Sequence, residues 1–81
     1  MDIAGIREAL HRQPFEPFSI RLADGRSLPV PHPDFVAVGA RRVVVVGEDD
    51  STAMIDSLMI VSLDTPPKKG GGNGRKRRRN P

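Results

Sequence analysis

The sequence predicts a mainly β domain, α+β by count of elements: a short N-terminal helix followed by a small antiparallel, strongly bent five-stranded sheet or barrel. Three observations carry this. Phe18, Ile20 and Leu22 alternate with Ser19, Arg21 and Ala23, the period of a strand buried on one face. Val43 to Val46 is an unbroken β-branched run, the clearest central-strand signal in the chain. No helical segment separates the strands, which favours antiparallel pairing, because parallel strands need a long crossover.

The hairpin from Phe18 to Val30 organises the rest. Asp24-Gly25 supplies turn chemistry. A two-residue loop would set Ile20 opposite Pro29 and Arg21 opposite Leu28, mixing polar and apolar side chains on both faces. A three-residue loop, Ala23-Asp24-Gly25, with Gly25 at positive φ, instead pairs Ile20 with Leu28 and Phe18 with Val30. That register leaves Ser19, Arg21 and Ser27 on a polar face, and its apolar face requires a cover.

The other elements follow in order. Asp2 is placed to cap a helix of about ten residues in which Ile3, Ile6 and Leu10 recur at helical spacing and Glu8 and Arg12 stand four apart. Pro14 stops it, and so short a helix has to lie on the sheet. Gln13 to Pro17 reads as an extended connector anchored by Phe15. Pro31-His32-Pro33-Asp34 bends the chain. Phe35 to Val38 resumes as strand, Gly39 to Arg41 turns, and Arg42 to Val46 is the valine strand. Glu48 to Ser51 is a solvated turn, Thr52 to Ile55 a short strand, Asp56 to Leu58 a helical turn and Met59 to Leu63 the last strand.

Length and charge divide the chain in two. Its 81 residues allow one domain, assigned to residues 1–66, with residues 67–81 as a glycine-rich, disordered basic tail. A body of that size buries only roughly 60% of its unfolded surface, so its stability is modest. It holds six arginines against ten acids, a balance of −4, whereas the tail holds seven cations and no acid. With no cysteine there is neither a disulfide framework nor a thiolate metal site. No long apolar run or basic-then-apolar leader stands out, and a soluble, cytoplasmic protein is expected.

Catalytic chemistry finds little to use. His32 and Asp34 flank a proline in a turn where Asp34 is expected to accept local backbone hydrogen bonds, and His11 is the other histidine available for a metal. Glu48, Asp49 and Asp50 lack the spacing of a calcium loop. Ser51, Ser57 and Ser62 have no base-and-orienter set, and no glycine-rich loop precedes a helix. An enzyme, a cofactor, a metal and a small-molecule substrate are therefore not expected. The tail has a clear physical purpose: Lys68, Lys69, Arg75, Lys76, Arg77, Arg78 and Arg79 suit a polyanion, displacing its counterions without sequence preference. With no Tyr or Trp, and Phe15, Phe18 and Phe35 expected in the core, base stacking is disfavoured against phosphate contact.

Two resemblances add to this. The run PFEPFSIRLADGRSLPVPHPDFVAV resembles a group of small uncharacterised bacterial proteins with a PF-x-PF, DGR and V-x-HP pattern, which implies a self-contained domain. The order of elements, from the strand ending Leu22-Ala23-Asp24-Gly25 to Ile55-Asp56-Ser57-Leu58-Met59-Ile60-Val61, resembles the Sm-like fold of the RNA chaperone Hfq, and is shared by SH3-like barrels. The Sm-like resemblance implies RNA binding and ring assembly. It departs where that family carries a uridine-contacting Lys-His pair, since this chain has Ile55 and Asp56. The resulting expectation is a non-enzymatic nucleic-acid-associated accessory protein whose β-domain docks on a protein partner or on its own copies through sheet edges. A protein-interaction or scaffold module with an incidental tail is the alternative.

Overall fold

The computed structural model describes residues 1–66, so the basic tail lies outside the described residues. Helix α1 (Ile3–Leu10) opens on Asp2, whose carboxylate accepts from the Ala4 N–H at 3.2 Å, a donor with no partner inside the helix. Ile6 and Leu10 are buried and Ile3 is half-buried on the same stripe. The helix is shorter than expected. His11 closes it through its N–H to the Arg7 carbonyl, so Arg12 lies beyond the last turn and pairs with Glu16 of the connector at 2.8 Å rather than with Glu8.

Strands β1 (Phe18–Leu22) and β2 (Ser27–Val30) pair in the register the apolar pattern demands, Phe18 with Val30 and Ile20 with Leu28. The Leu22 N–H donates to the Arg26 carbonyl at 2.8 Å, leaving Ala23-Asp24-Gly25 as the loop, and Gly25 takes φ +94°. Hydrogen-bonded pairs alternate from Leu22–Arg26, which turns the backbone of Ser27 and Pro29 away from β1, so Pro29 removes no bond from this ladder. The other edge of β1 is taken by β6 (Ile60–Asp64), giving a sheet in the order β2-β1-β6. Val61 is the extra residue of a bulge there, because Arg21 faces Ser62 while Leu22 faces Ile60.

The second sheet is β3 (Val36–Val38), β4 (Arg42–Val46) and β5 (Thr52–Asp56), in that order. The valine run is its central strand, with Val43 and Val45 buried and Val44 and Val46 half-buried. The described architecture is thus one short helix and six antiparallel strands in two three-stranded sheets, and it is not a closed barrel. This departs from the five-stranded expectation for a local reason. His32 and Pro33 wind into a 3-10 turn, Pro33–Phe35, which splits one bent strand into β2 and β3 on different sheets. A second 3-10 turn, Ser57–Met59, separates β5 from β6. The first turn also consumes Phe35, which is half-buried and stands outside the core cluster, against the expectation of a strand residue in the core.

One core joins the sheets and the helix. Ile6 and Leu10 meet Phe18, Ile20, Leu22 and Val30 of the first hairpin, Ile60 of β6, and Val43, Val45 and Ile55 of the second sheet. Phe15 packs against this cluster with its ring 6.0 Å from that of Phe18, fulfilling the anchoring role expected of it.

The β4–β5 connection repeats the first loop. The Gly47 N–H donates to the Ser51 carbonyl at 2.7 Å, enclosing Glu48-Asp49-Asp50, and Asp50 takes φ +72° at the position Gly25 occupies in the first hairpin. Left-handed backbone strains a residue with a Cβ and is free to glycine. Opposite effects are therefore expected at the two positions. Gly25→Val should cost more than about 1 kcal/mol, since a β-branched residue is strained there although no atom lies within 4 Å of the added Cβ. Asp50→Gly should gain about 0.5 kcal/mol, relief of strain being partly offset by glycine's chain entropy. Urea unfolding of the two variants checks both; a Gly25→Val protein as stable as wild type would remove backbone strain from the account.

Candidate functional site

Alternation along β1 and β2 turns Ser19, Arg21 and Ser27 outward, as the hairpin register predicts. From the neighbouring β6, Asp64 meets this face: Arg21 Nε donates to its carboxylate at 2.9 Å, and the Ser62 hydroxyl donates at 2.9 Å. The Ser62 hydroxyl first, and then Arg21, hold the Asp64 carboxyl below its usual range. A groove of about 420 Å³ runs along this face between Phe18, Pro29, Pro31, Arg21, Asp64 and Pro66. Pro66 is the last described residue, so this face is where the chain leads on to the tail. Lys68, Lys69, Arg75, Lys76, Arg77, Arg78 and Arg79, the residues expected to contact phosphate, lie outside the described residues.

The arginines of the body are already engaged. Arg12, Arg21, Arg26 and Arg41 pair with Glu16, Asp64, Asp24 and Asp56 at 2.8 to 3.2 Å. Arg7 donates to the Val38 and Gly39 carbonyls, and Arg42 reaches the Met54 thioether at 3.7 Å. These contacts are exposed, and each is worth little. Four of the six thus stand beside an acid, while Arg7, Arg41 and Arg42 come together at the β3–β4 turn, where Arg41 is the one paired with an acid.

The acidic tip of the β4–β5 hairpin is a self-bonded loop. Asp49 accepts from the Ser51 hydroxyl at 2.6 Å and from the Ser51 N–H at 3.1 Å, and these bonds, the hydroxyl's first, lower its carboxyl from the usual value. Beside the tip a groove of about 480 Å³ opens between β2 and this hairpin, floored by Leu28, Pro29, Val45 and Ala53. Of its charged rim, Arg26 is committed to Asp24 and Asp49 to Ser51, and Glu48 is the third charged residue. Among the described residues no group of three or more His, Asp or Glu side chains is placed to hold a metal ion.

The His32–Asp34 pair works as a cap, with its roles reversed from expectation. His32 Nδ1 accepts from the Asp34 N–H at 3.2 Å, closing the first 3-10 turn, while the Asp34 side chain is 87% exposed and its carboxylate lies 3.5 Å from the same nitrogen. A Pro-x-Pro bend withdraws Asp34 from the backbone donors that the sequence assigned to it.

An apolar feature was missed by sequence reasoning. Met54 (67% exposed), Leu58 (80%) and Val61 (58%) face solvent along β5, the second 3-10 turn and the β6 bulge. The parity of Thr52, Met54 and Asp56 against buried Ile55 is the signal that could have shown the first of these. Comparison with known proteins adds no assignment: no protein-family model, curated protein or solved structure matches the chain.

Four carboxyls, two exposed and two half-buried, are held low by turn and pairing contacts: Asp24 by the Arg26 N–H, Asp49 by Ser51, Asp56 by the Leu58 N–H, and Asp64 by Ser62. A folded-state value below the unfolded one, about 3.9 for Asp, gives stability that is present above that value and lost as pH falls through the lowered range. The melting temperature is therefore expected to drop between about pH 5 and pH 2, and Asp56→Asn to flatten that drop. Thermal melts across this range check it; a melting temperature indifferent to acid would show that these bonds do not report on folding.

Proposed function

We propose that this chain is a small non-enzymatic nucleic-acid-associated accessory protein. Its β-domain docks on a protein partner or on its own copies, and residues 67–81 contact phosphates without sequence preference. The observation that carries the reading is the division of charge, −4 over residues 1–66 against seven uncompensated cations beyond them. Two features of the body support placing the contact in the tail. Four of its six arginines are paired with acids. Asp56, standing where the Sm-like family carries part of its uridine-contacting pair, accepts from the Leu58 N–H and from Arg41. Base recognition on that strand therefore has little support, and the reading does not choose between RNA and DNA.

A second reading, a protein-interaction or scaffold module with an incidental tail, is favoured by the exposed Met54, Leu58 and Val61. Among the described residues no helix is long and apolar enough to cross a membrane.

The two readings separate in a salt series. If the seven cations contact phosphates, roughly 4–7 counterions are released, and log K falls against log salt with a slope of about −3 to −6. Replacing Arg75, Lys76, Arg77, Arg78 and Arg79 by Gln is expected to flatten the slope and leave the melting temperature unchanged. Fluorescence anisotropy with single- and double-stranded oligonucleotides measures it. A slope near zero, or a sequence preference that survives the replacement, would move recognition onto the β-domain.

A further inference from the structure

The edges of the two sheets are not treated alike. On β2 the outward-facing backbone positions are Ser27 and Pro29, and Pro29 has no N–H to offer a further strand. On β6 the bulge at Val61 breaks the run of ladder positions. β3 is three residues long. Shortness, bulges and prolines are the devices by which an edge is kept from pairing with another chain. Among the described edges β5 lacks them: it is five residues, Thr52 to Asp56, with no proline, glycine, bulge or cation. Its phase is fixed at both ends. The bonds from the Gly47 N–H to the Ser51 carbonyl and from the Ser57 N–H to the Arg41 carbonyl make Val43–Ile55 and Val45–Ala53 the hydrogen-bonded pairs. The N–H and C=O groups of Thr52, Met54 and Asp56 therefore point away from β4.

We infer that this edge binds a second copy of the chain: two β5 strands pair antiparallel about a two-fold axis at Met54, joining two three-stranded sheets into one of six strands. This deepens the self-docking part of the function proposed above and does not depend on what the tail binds. Two observations favour a second copy as the occupant. First, the strand is self-complementary. With Met54 facing the partner's Met54, the Thr52 hydroxyl faces the partner's Asp56, whose carboxylate is already satisfied by the Leu58 N–H and Arg41, so no unpaired charge enters the seam. Second, the β4–β5 hairpin is polarised, with Glu48, Asp49 and Asp50 at its tip and Arg41, Arg42 and the Arg41-paired Asp56 at its base, three negative charges against a net single positive one. Antiparallel pairing sets each acidic tip beside the other copy's arginine end, whereas parallel pairing would set acid against acid. The contact is isologous, so it closes at two copies.

The test uses the full, nuclease-treated chain in sedimentation equilibrium from about 1 μM to 1 mM, the range expected of an interface below standard size. Wild type is expected to pass from monomer to dimer. Met54→Lys and Met54→Asp, each placing like charges against each other on the axis, are expected to be monomers with unchanged circular dichroism. Their equimolar mixture is expected to recover the dimer, because a two-fold axis at residue 54 makes that residue its own neighbour. Thr52→Lys, facing the partner's Asp56, gives an independent reading if residue 54 does not tolerate charge: the dimer should tighten severalfold. A wild type that stays monomeric over the range, a closed ring of six or seven, a mixture no more associated than its components, or an unchanged Thr52→Lys constant would each overturn the inference. Nucleic-acid binding by the monomeric variants, measured separately, tests the tail reading by itself: losing the dimer removes the second tail's contribution but not the binding of one tail.

Discussion

The domain depends on β1 being paired along both edges. Ile20, fully buried, lies between Leu28 of its own hairpin and Leu63 near the end of the described chain. The first pairing is local and cheap in chain entropy; the second closes a loop of some forty residues and must be repaid by burial. Side chains such as Ile20, Leu22 and Ile60 contribute about 1.5–3 kcal/mol each on leaving water. The second sheet supplies the opposite wall of that burial. Val43 and Val45 meet the first sheet's apolar side chains, and Ile6 and Leu10 of α1 join the same cluster.

What was legible in the sequence follows from this division. The β1–β2 hairpin could be read to its register, since the period of two left one loop length that kept Ile20 with Leu28, and Gly25 met the backbone need of that loop. The valine strand could be read for the same reason, its composition being incompatible with a solvated edge. The fate of the Pro31-His32-Pro33 bend was less legible. Prolines announce that pairing stops, but not whether the strand resumes in the same sheet, because that depends on where a 3-10 turn aims the chain. The same gap misplaced Phe35, which the turn holds out of the core. The candidate tail was legible as charge and composition alone, and the exposure of Met54 was overlooked because short strands offer few residues from which to fix parity.

Polar contacts in this body are chiefly short-range. Asp2, Asp24, Asp49 and Asp56 each bond a backbone N–H two residues further on, and His32 does the same with its ring nitrogen. Such bonds let a small domain turn sharply at little cost, by satisfying donors that helix starts and tight loops leave open. They also disperse charge. A carboxylate engaged in its own turn, with an arginine beside it, is a weak competitor for a distant cation, so the four paired arginines and their acids largely cancel where they stand.

That dispersal bears on how one chain can serve two contacts. A polyanion approaching the protein meets a body of net −4 and a segment of net +7. Charges farther apart than a Debye length, about 8 Å at physiological ionic strength, are largely screened from one another. Under the proposed function the body would add little attraction of its own and some repulsion, keeping a nucleic acid off the sheets while the cations held it. The backbone groups of β5 are then left for a contact that does not rely on net charge, since ladder hydrogen bonds and a self-matching row of Thr52, Met54 and Asp56 act only at short range. Two copies brought together there would carry two basic segments on one assembly. A second tail adds phosphate contacts through effective concentration rather than through any new recognition surface. An acidic body in which four of six arginines are paired with acids would let both proposed contacts be held at once, because neither draws on the groups that the other needs.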